Sequence, residues 1–193
     1  MTKNIMIVGV GGQGTLLASR ILGNAVIGAG LDVKVSEVHG MSQRGGSVVT
    51  YVKYGEKVES PIVDKGSADI ILAFEELEAY RALPYLKKGG RMIVNTQKIN
   101  PMPVIIGAAE YPSEICQKLA EVCDLTTVDA ASLAAEAGSI KAVNVVLIGV
   151  MATSTDISYE EWINTIKTTV PPKFVDMNVK AFELGYNLKR FLD

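Results

Sequence analysis

The sequence predicts an α/β fold: a Rossmann-like three-layer sandwich with a mostly parallel sheet, plus C-terminal helices. Three observations predict it. Ile5-Met6-Ile7-Val8, then Gly9-Val10-Gly11-Gly12-Gln13-Gly14, then Thr15 to Leu22 read as strand, glycine turn and helix, the opening unit of a doubly wound sheet. Short apolar or β-branched runs then alternate with helical stretches as far as Asp129. From Ala142 onward the pattern is helical, with no further strand signal.

Taken in order, the first helix spans Gly14 to about Ile27 and stops at Gly28-Ala29-Gly30. Val33 to Val38 forms a second strand, and Ser47 to Tyr54, β-branched and aromatic, a third. Gly55-Glu56 reads as a hairpin turn, with Val58 to Ile62 pairing back as a short edge strand. Ala68 to Phe74 is a buried strand, and Glu75 to Leu83 an amphipathic helix ended by Pro84. Leu86 to Gly90 reads as a stop and turn before the strand Arg91 to Asn95. Val104-Ile105-Ile106 is a short apolar run, Ser113 to Val122 a helix, Leu125 to Asp129 a strand and Ala130 to Ala137 a helix. Ala142 to Met151 is almost wholly apolar, too short for a bilayer, and so a buried helix. Ser158-Tyr159-Glu160-Glu161 is a capping box, and a final amphipathic helix covers Val175 to Leu192. Without repeat, low-complexity tract or linker, residues 1–193 are expected to form one domain.

Composition excludes several function classes. A net charge of -2, with charges scattered, does not suggest nucleic acid. No apolar run approaches the roughly 20 residues of a membrane span. A mean hydropathy of +0.24 points to apolar surface covered by a partner subunit. Met1 to Asn4 leads directly into the first strand, so no signal peptide is expected, and the expected compartment is cytoplasmic. Cys116 and Cys123 are expected to be small buried side chains, too far apart for a disulfide. With His39 they cannot supply a four-thiolate iron–sulfur site or a usual zinc site, so no metal is expected.

Two loops carry the chemistry. In the first, glycines open the backbone: Gly9 for a tight turn, Gly11 and Gly12 for close approach, Gly14 for packing of the helix start on the strand. Gln13 puts an amide in the mouth of the turn. Freed N–H groups and a helix N-terminus favour an anion, although a turn without ligand has the same pattern. The second loop, His39-Gly40-Met41-Ser42-Gln43-Arg44-Gly45-Gly46, leaves the carboxyl edge of the second strand, so the two loops can line one crevice. Arg44 supplies a fixed positive charge for a phosphate or carboxylate. Glu37 stands roughly where a dinucleotide fold places its ribose acid. Glu75, Glu76 and Glu78 read as dipole partners on a solvated face, with Glu78 and Arg81 spaced to pair. Asn144, polar within an apolar helix, either ties down a loop or faces the crevice.

The two loops, in this order and at this chain length, resemble the hallmark loops of the gamma-type chain of 2-oxoacid:ferredoxin oxidoreductases. The Gln43-Arg44-Gly45-Gly46 form is most similar to the indolepyruvate:ferredoxin branch, and Leu72 to Ala79 and Asn144 to Gly149 also fit it. The resemblance implies oxidative decarboxylation of an aryl 2-oxoacid with coenzyme A, giving acyl-CoA, carbon dioxide and reduced ferredoxin. It implies a large partner subunit bearing thiamine diphosphate and iron–sulfur clusters, because this chain has too few cysteines and lacks a Gly-Asp-Gly…Asn motif. Coenzyme A would be a co-substrate, and ferredoxin would be reached through the complex. The substrate-facing set is then Gly11, Gly12, Gln13, Gly14, Ser42, Gln43, Arg44, Gly45 and Gly46, with His39, Glu75 and Asn144 behind it. A free-standing NAD- or FAD-binding protein and a purely structural subunit remain alternatives.

Overall fold

The computed structural model describes residues 2–39 and 45–188, with His39 described in its backbone alone. Six strands form one sheet in the order β2-β3-β1-β4-β5-β6. They are β1 (Lys3–Val10), β2 (Asp32–His39), β3 (Ser47–Gly55), β4 (Ala68–Ala73), β5 (Leu86–Asn95) and β6 (Asp124–Val128). Among the described residues the α-helices are α1 (Thr15–Gly28), α2 (Glu76–Ala82), α3 (Met102–Ile105), α4 (Ile115–Ala120), α5 (Ala130–Ala137), α6 (Val143–Ala152), α7 (Tyr159–Thr169) and α8 (Val175–Tyr186).

Alternation along the strands builds the three layers. Ile5 and Ile7 of β1 pack with Ile70 and Leu72 against α1, α5, α6, α7 and α8. Met6 and Val8 point the other way and pack with Ile71, Ala73, Met92 and Val94 against α2 and α4. This period of two on a sheet buried on both faces explains the unbroken apolar strands. The sheet is mostly parallel, as the sequence predicts. β1, β4, β5 and β6 run parallel, while β3 lies antiparallel to both β1 and β2.

Several expectations are corrected. The segment Val58 to Ile62 forms no strand; Val58 N instead donates to Asp32 Oδ2 at 2.9 Å. Gly55 therefore ends β3 without a hairpin, since β3 has β1 and β2 as its two neighbours. Leu86 to Gly90 is not a turn before β5 but its irregular first half, where pairing jumps from Ala68↔Leu86 to Ile70↔Arg91. Gly89, at φ +75, absorbs the extra residues. Val104 and Ile105, of the short apolar run, lie in the short helix α3. The opening glutamates are not solvated: Glu75, Glu76 and Glu78 are 1%, 7% and 4% exposed. Cys116 and Cys123 are half-buried free thiols, not fully buried ones. The expected end of the last helix, at Leu192, lies outside the described residues.

Helix α6 is the central brace. It crosses α8 at Gly149 and Gly185, where a Cβ on either residue would fall well inside 3.0 Å of the other helix's backbone. The two backbones therefore touch directly, which side chains larger than hydrogen forbid. Of the expected capping box the N-cap half forms, with Ser158 Oγ accepting from Glu161 N at 3.2 Å, while Glu161 Oε1 accepts from Thr165 Oγ1 at 3.1 Å.

Candidate functional site

The carboxyl ends of β1, β4, β5 and β6 open onto a cleft of about 480 Å³. Gly12, Gln13 and Gly14 form one wall, and Gln97, just past β5, forms another. Ala131 at the start of α5, Ile140 and Lys141 in the 3-10 turn that leads into α6, and Val143 at the start of α6 face them. Helices α1, α5 and α6 thus begin around one opening and turn the positive ends of their dipoles toward it. None of these lining residues is acidic, and Lys141 takes part in no ion pair among the described residues.

The first glycine turn is built differently from the pattern's usual reading. Gly9 is still inside β1, and its missing side chain makes room for Gln13 Oε1, which a Cβ would meet at 2.8 Å. Gln13 does not hang in the mouth of the turn. Its Oε1 accepts from Val10 N at 2.7 Å, and its Nε2 donates to Phe74 O at 3.0 Å and to Gln97 Oε1 at 3.1 Å. Gly12, at φ +103, has open space where a side chain would project. Gly14, at φ +85, is the N-cap of α1. It makes room for Asn144 rather than for a strand, since a Cβ there would meet Asn144 Nδ2 at 2.8 Å. Asn144 Nδ2 donates to Gly14 O at 3.3 Å, so this buried amide ties down the loop, one of its two expected roles.

The second loop meets the first at its exit. Gly11 N donates to Gly46 O at 2.9 Å, and Ser47 Oγ, one residue on, donates to Glu78 Oε2 at 2.5 Å. Arg81 Nη1 pairs with Glu78 Oε1 at 2.6 Å, as the spacing suggested. Gly45 is exposed, at φ +75. Ser42, Gln43 and Arg44 lie outside the described residues, as does the side chain of His39.

Glu75 serves as a knot rather than as a ligand. Its Oε2 caps α2 by accepting from Glu78 N at 2.9 Å, and its Oε1 accepts from Ile99 N at 3.1 Å and from the Tyr111 hydroxyl. Burial, and then the Glu75 carboxylate, push the Tyr111 phenol well above its ordinary range. Burial also raises both thiols, that of Cys116 to about 11 with help from Glu76.

Two polar cleft residues escaped the sequence reading, along with the apolar Ala131, Ile140 and Val143. Gln97 stands just beyond the carboxyl end of a parallel strand, the position where such sheets place ligand contacts, and that rule could have found it. Lys141 carried no signal beyond preceding an apolar helix.

Sheet order bears on the dinucleotide alternative. There the second strand adjoins the first, so that its terminal acid reaches a ribose at the glycine turn. Here β3 intervenes, which sets Glu37 about 10 Å to the side at the usual strand spacing. Glu37 instead accepts from Thr50 Oγ1 of β3 at 3.3 Å.

The fold is an α/β domain with helices on both faces of its sheet, a cleft at the carboxyl edge and a strand order in which β3 separates β1 from β2, unlike the dinucleotide-binding order. The chain belongs to the pyruvate ferredoxin/flavodoxin oxidoreductase family, whose model it matches over residues 4–188. It is 47% identical over 188 residues to indolepyruvate oxidoreductase subunit IorB of Thermococcus kodakarensis, covering 94% of this chain and 93% of that relative. The keto/oxoacid ferredoxin oxidoreductase gamma subunit of Geobacter sulfurreducens superposes with a TM-score of 0.72 at 25% identity, over 96% of each chain. The 2-oxoglutarate:ferredoxin oxidoreductase of Magnetococcus marinus contains the same fold at 18% identity, with a TM-score of 0.75 over all of this chain and 32% of its own. No helix among the described residues is long and apolar enough to cross a membrane.

Proposed function

We propose that the chain is the smaller subunit of an indolepyruvate:ferredoxin oxidoreductase. The complex oxidatively decarboxylates an aryl 2-oxoacid with coenzyme A, yielding acyl-CoA, carbon dioxide and reduced ferredoxin. The observation that carries this reading is the near full-length 47% identity to an indolepyruvate oxidoreductase subunit. The reaction belongs to amino-acid breakdown, since an aryl 2-oxoacid is what remains of an aromatic amino acid after its amine is removed. We assign the complex to the cytoplasm, where soluble ferredoxin takes the electrons.

The donor set argues for a division of labour. Among the described residues no three His, Cys, Asp or Glu side chains come together to hold a metal. Two cysteines cannot complete a four-thiolate cluster. We place thiamine diphosphate and the iron–sulfur clusters on the larger partner subunit, a reading that the small number of cysteines supports. This chain contributes a wall: the turn Gly11 to Gly14, its cleft, and the loop Ser42 to Gly46 with Arg44 as its charge. That wall receives an anionic group, either a coenzyme A phosphate or the 2-oxoacid carboxylate.

Co-expression with the larger subunit and measurement of indolepyruvate- and coenzyme A-dependent ferredoxin reduction test the assignment. Activity should require both chains. Arg44→Ala should raise KM for one anionic substrate by about tenfold or more, the loss expected for a charge-assisted contact. Wild-type KM and kcat in that variant would remove Arg44 from the site.

A further inference from the structure

Hydrogen-bond logic fixes an orientation at Gln97 that its own environment leaves open. Gln13 cannot flip, because its Oε1 accepts from a backbone N–H, that of Val10, at 2.7 Å. Its Nε2 therefore faces Phe74 O and Gln97. Asn95 is fixed in the same way. Its Oδ1 accepts from the backbone N–H of Ala130 at 3.2 Å, and its Nδ2 donates to Phe74 O at 3.1 Å and to Gln97 Oε1 at 3.4 Å. Asn95 is 1% exposed, so its amide has nowhere else to turn. Two locked donors thus converge on one atom of Gln97, and that atom must be the oxygen. The nitrogen, which takes no partner among the described residues, is left as the free end of a side chain that lines the cleft.

We infer that Gln97 is a ligand-binding residue whose amide is locked as a donor, and that with Lys141 it makes the cleft an oxyanion receptor for a phosphate or a carboxylate. The ligand's identity rests on the proposed function; the site itself rests on the amide network. Four features agree. Lys141 is exposed at the same cleft and takes part in no ion pair among the described residues. No acidic residue is among the described lining to repel an anion. Gly12 leaves its backbone uncovered. About 480 Å³ accommodates a group larger than a water. A cation would find no carboxylate among the described lining residues. Gln97 acts by contact, whereas Asn95 and Gln13 are positioning residues that act through it.

Gln97→Glu is the discriminating variant. A carboxylate keeps one oxygen where Gln13 and Asn95 donate, so the network survives, and presents the other oxygen to the cleft in place of the N–H. The full-length chain is titrated calorimetrically with sodium pyrophosphate and, separately, with indolepyruvate. Wild type should bind one of the two, and which one tells a phosphate source from a carboxylate source. Gln97→Glu should weaken that binding by about tenfold or more while leaving Tm unchanged, and Lys141→Gln should weaken it similarly. In the assembled complex the same variants should raise KM for coenzyme A or for the 2-oxoacid, matching the probe that bound. Failure of wild type to bind either probe overturns the inference, as does wild-type binding in Gln97→Glu. Binding that behaves as stated in a complex without 2-oxoacid-dependent activity would overturn the proposed function and leave the receptor standing.

Discussion

Replacing Gly149 with alanine should destabilise the protein, although alanine is the better helix former. At this position in α6 the new methyl would lie far inside contact distance of Phe182 O and 2.9 Å from Tyr186 N, both backbone atoms of α8. Ordinary contact begins at 3.4 Å, and no side chain is available to swing away. The two helices must part by roughly an ångström, which loosens the packing of Val146, Val150 and Phe182 in the core. Overpacking of this kind costs about 3 kcal/mol or more where backbones must move, against roughly 1 kcal/mol regained from helix propensity. The net expectation is a loss of about 2 kcal/mol or more, and a fall in Tm of roughly 5 °C or more for a chain of this size. Gly23→Ala in α1 is the control. It too sits inside a helix, but its methyl would meet only Val35 Cγ2, at 3.9 Å. That variant should gain about 0.5–1 kcal/mol. Urea denaturation of the two variants beside wild type gives both numbers. Equal stabilities for Gly149→Ala and Gly23→Ala would refute direct backbone contact between α6 and α8.

Asn144→Asp should destabilise more than Asn144→Ala. It sets a buried negative oxygen against Gly14 O, whereas alanine forfeits the tie and the cap on Val145 N for about 1–2 kcal/mol; urea midpoints decide the order. A second expectation concerns alkaline pH. Burial pushes the Tyr54 phenol up to about 12 and Tyr111 higher still, both above the unfolded value near 10. Their contribution is therefore complete below pH 10 and lost as pH rises through the folded values, so stability should fall from about pH 10 upward. Tyr111→Phe should cost about 1–2 kcal/mol at neutral pH, through the lost donor to Glu75, and make the alkaline fall shallower. Tyrosine absorbance recorded alongside unfolding follows both effects.

Features that depend on near neighbours were legible in the sequence. The first strand, turn and helix, the buried run Ala142 to Met151 and the Ser158 cap all follow from periodicity and local chemistry. The tether role of Asn144 was half legible, since a buried amide must find a partner but its own sequence does not name Gly14. Strand direction was not legible at β3, because alternation along Ser47 to Tyr54 is the same in either sense. The burial of Glu75 escaped for a similar reason: its partners stand 24 and 36 residues away, so its neighbours in sequence suggested only a solvated face. The donor end of Gln97 is set by Gln13, 84 residues earlier, and no local pattern could have shown it.

The reversed strand β3 has a consequence for how such enzymes can diversify. Because β3 returns beside β2, the second glycine-rich loop is bounded by a strand pair in register up to His39↔Val48. Its exit is pinned on either side by Gly11 and by Glu78. The segment between His39 and Gly46 is therefore held at both ends by contacts that lie outside it. Its length and chemistry can be exchanged without shifting any strand of the sheet, whereas the first turn is bound into β4, β5 and α6 and tolerates no such trade. Exchanges at one loop are thereby uncoupled from the strands, while the other keeps the cleft in shape.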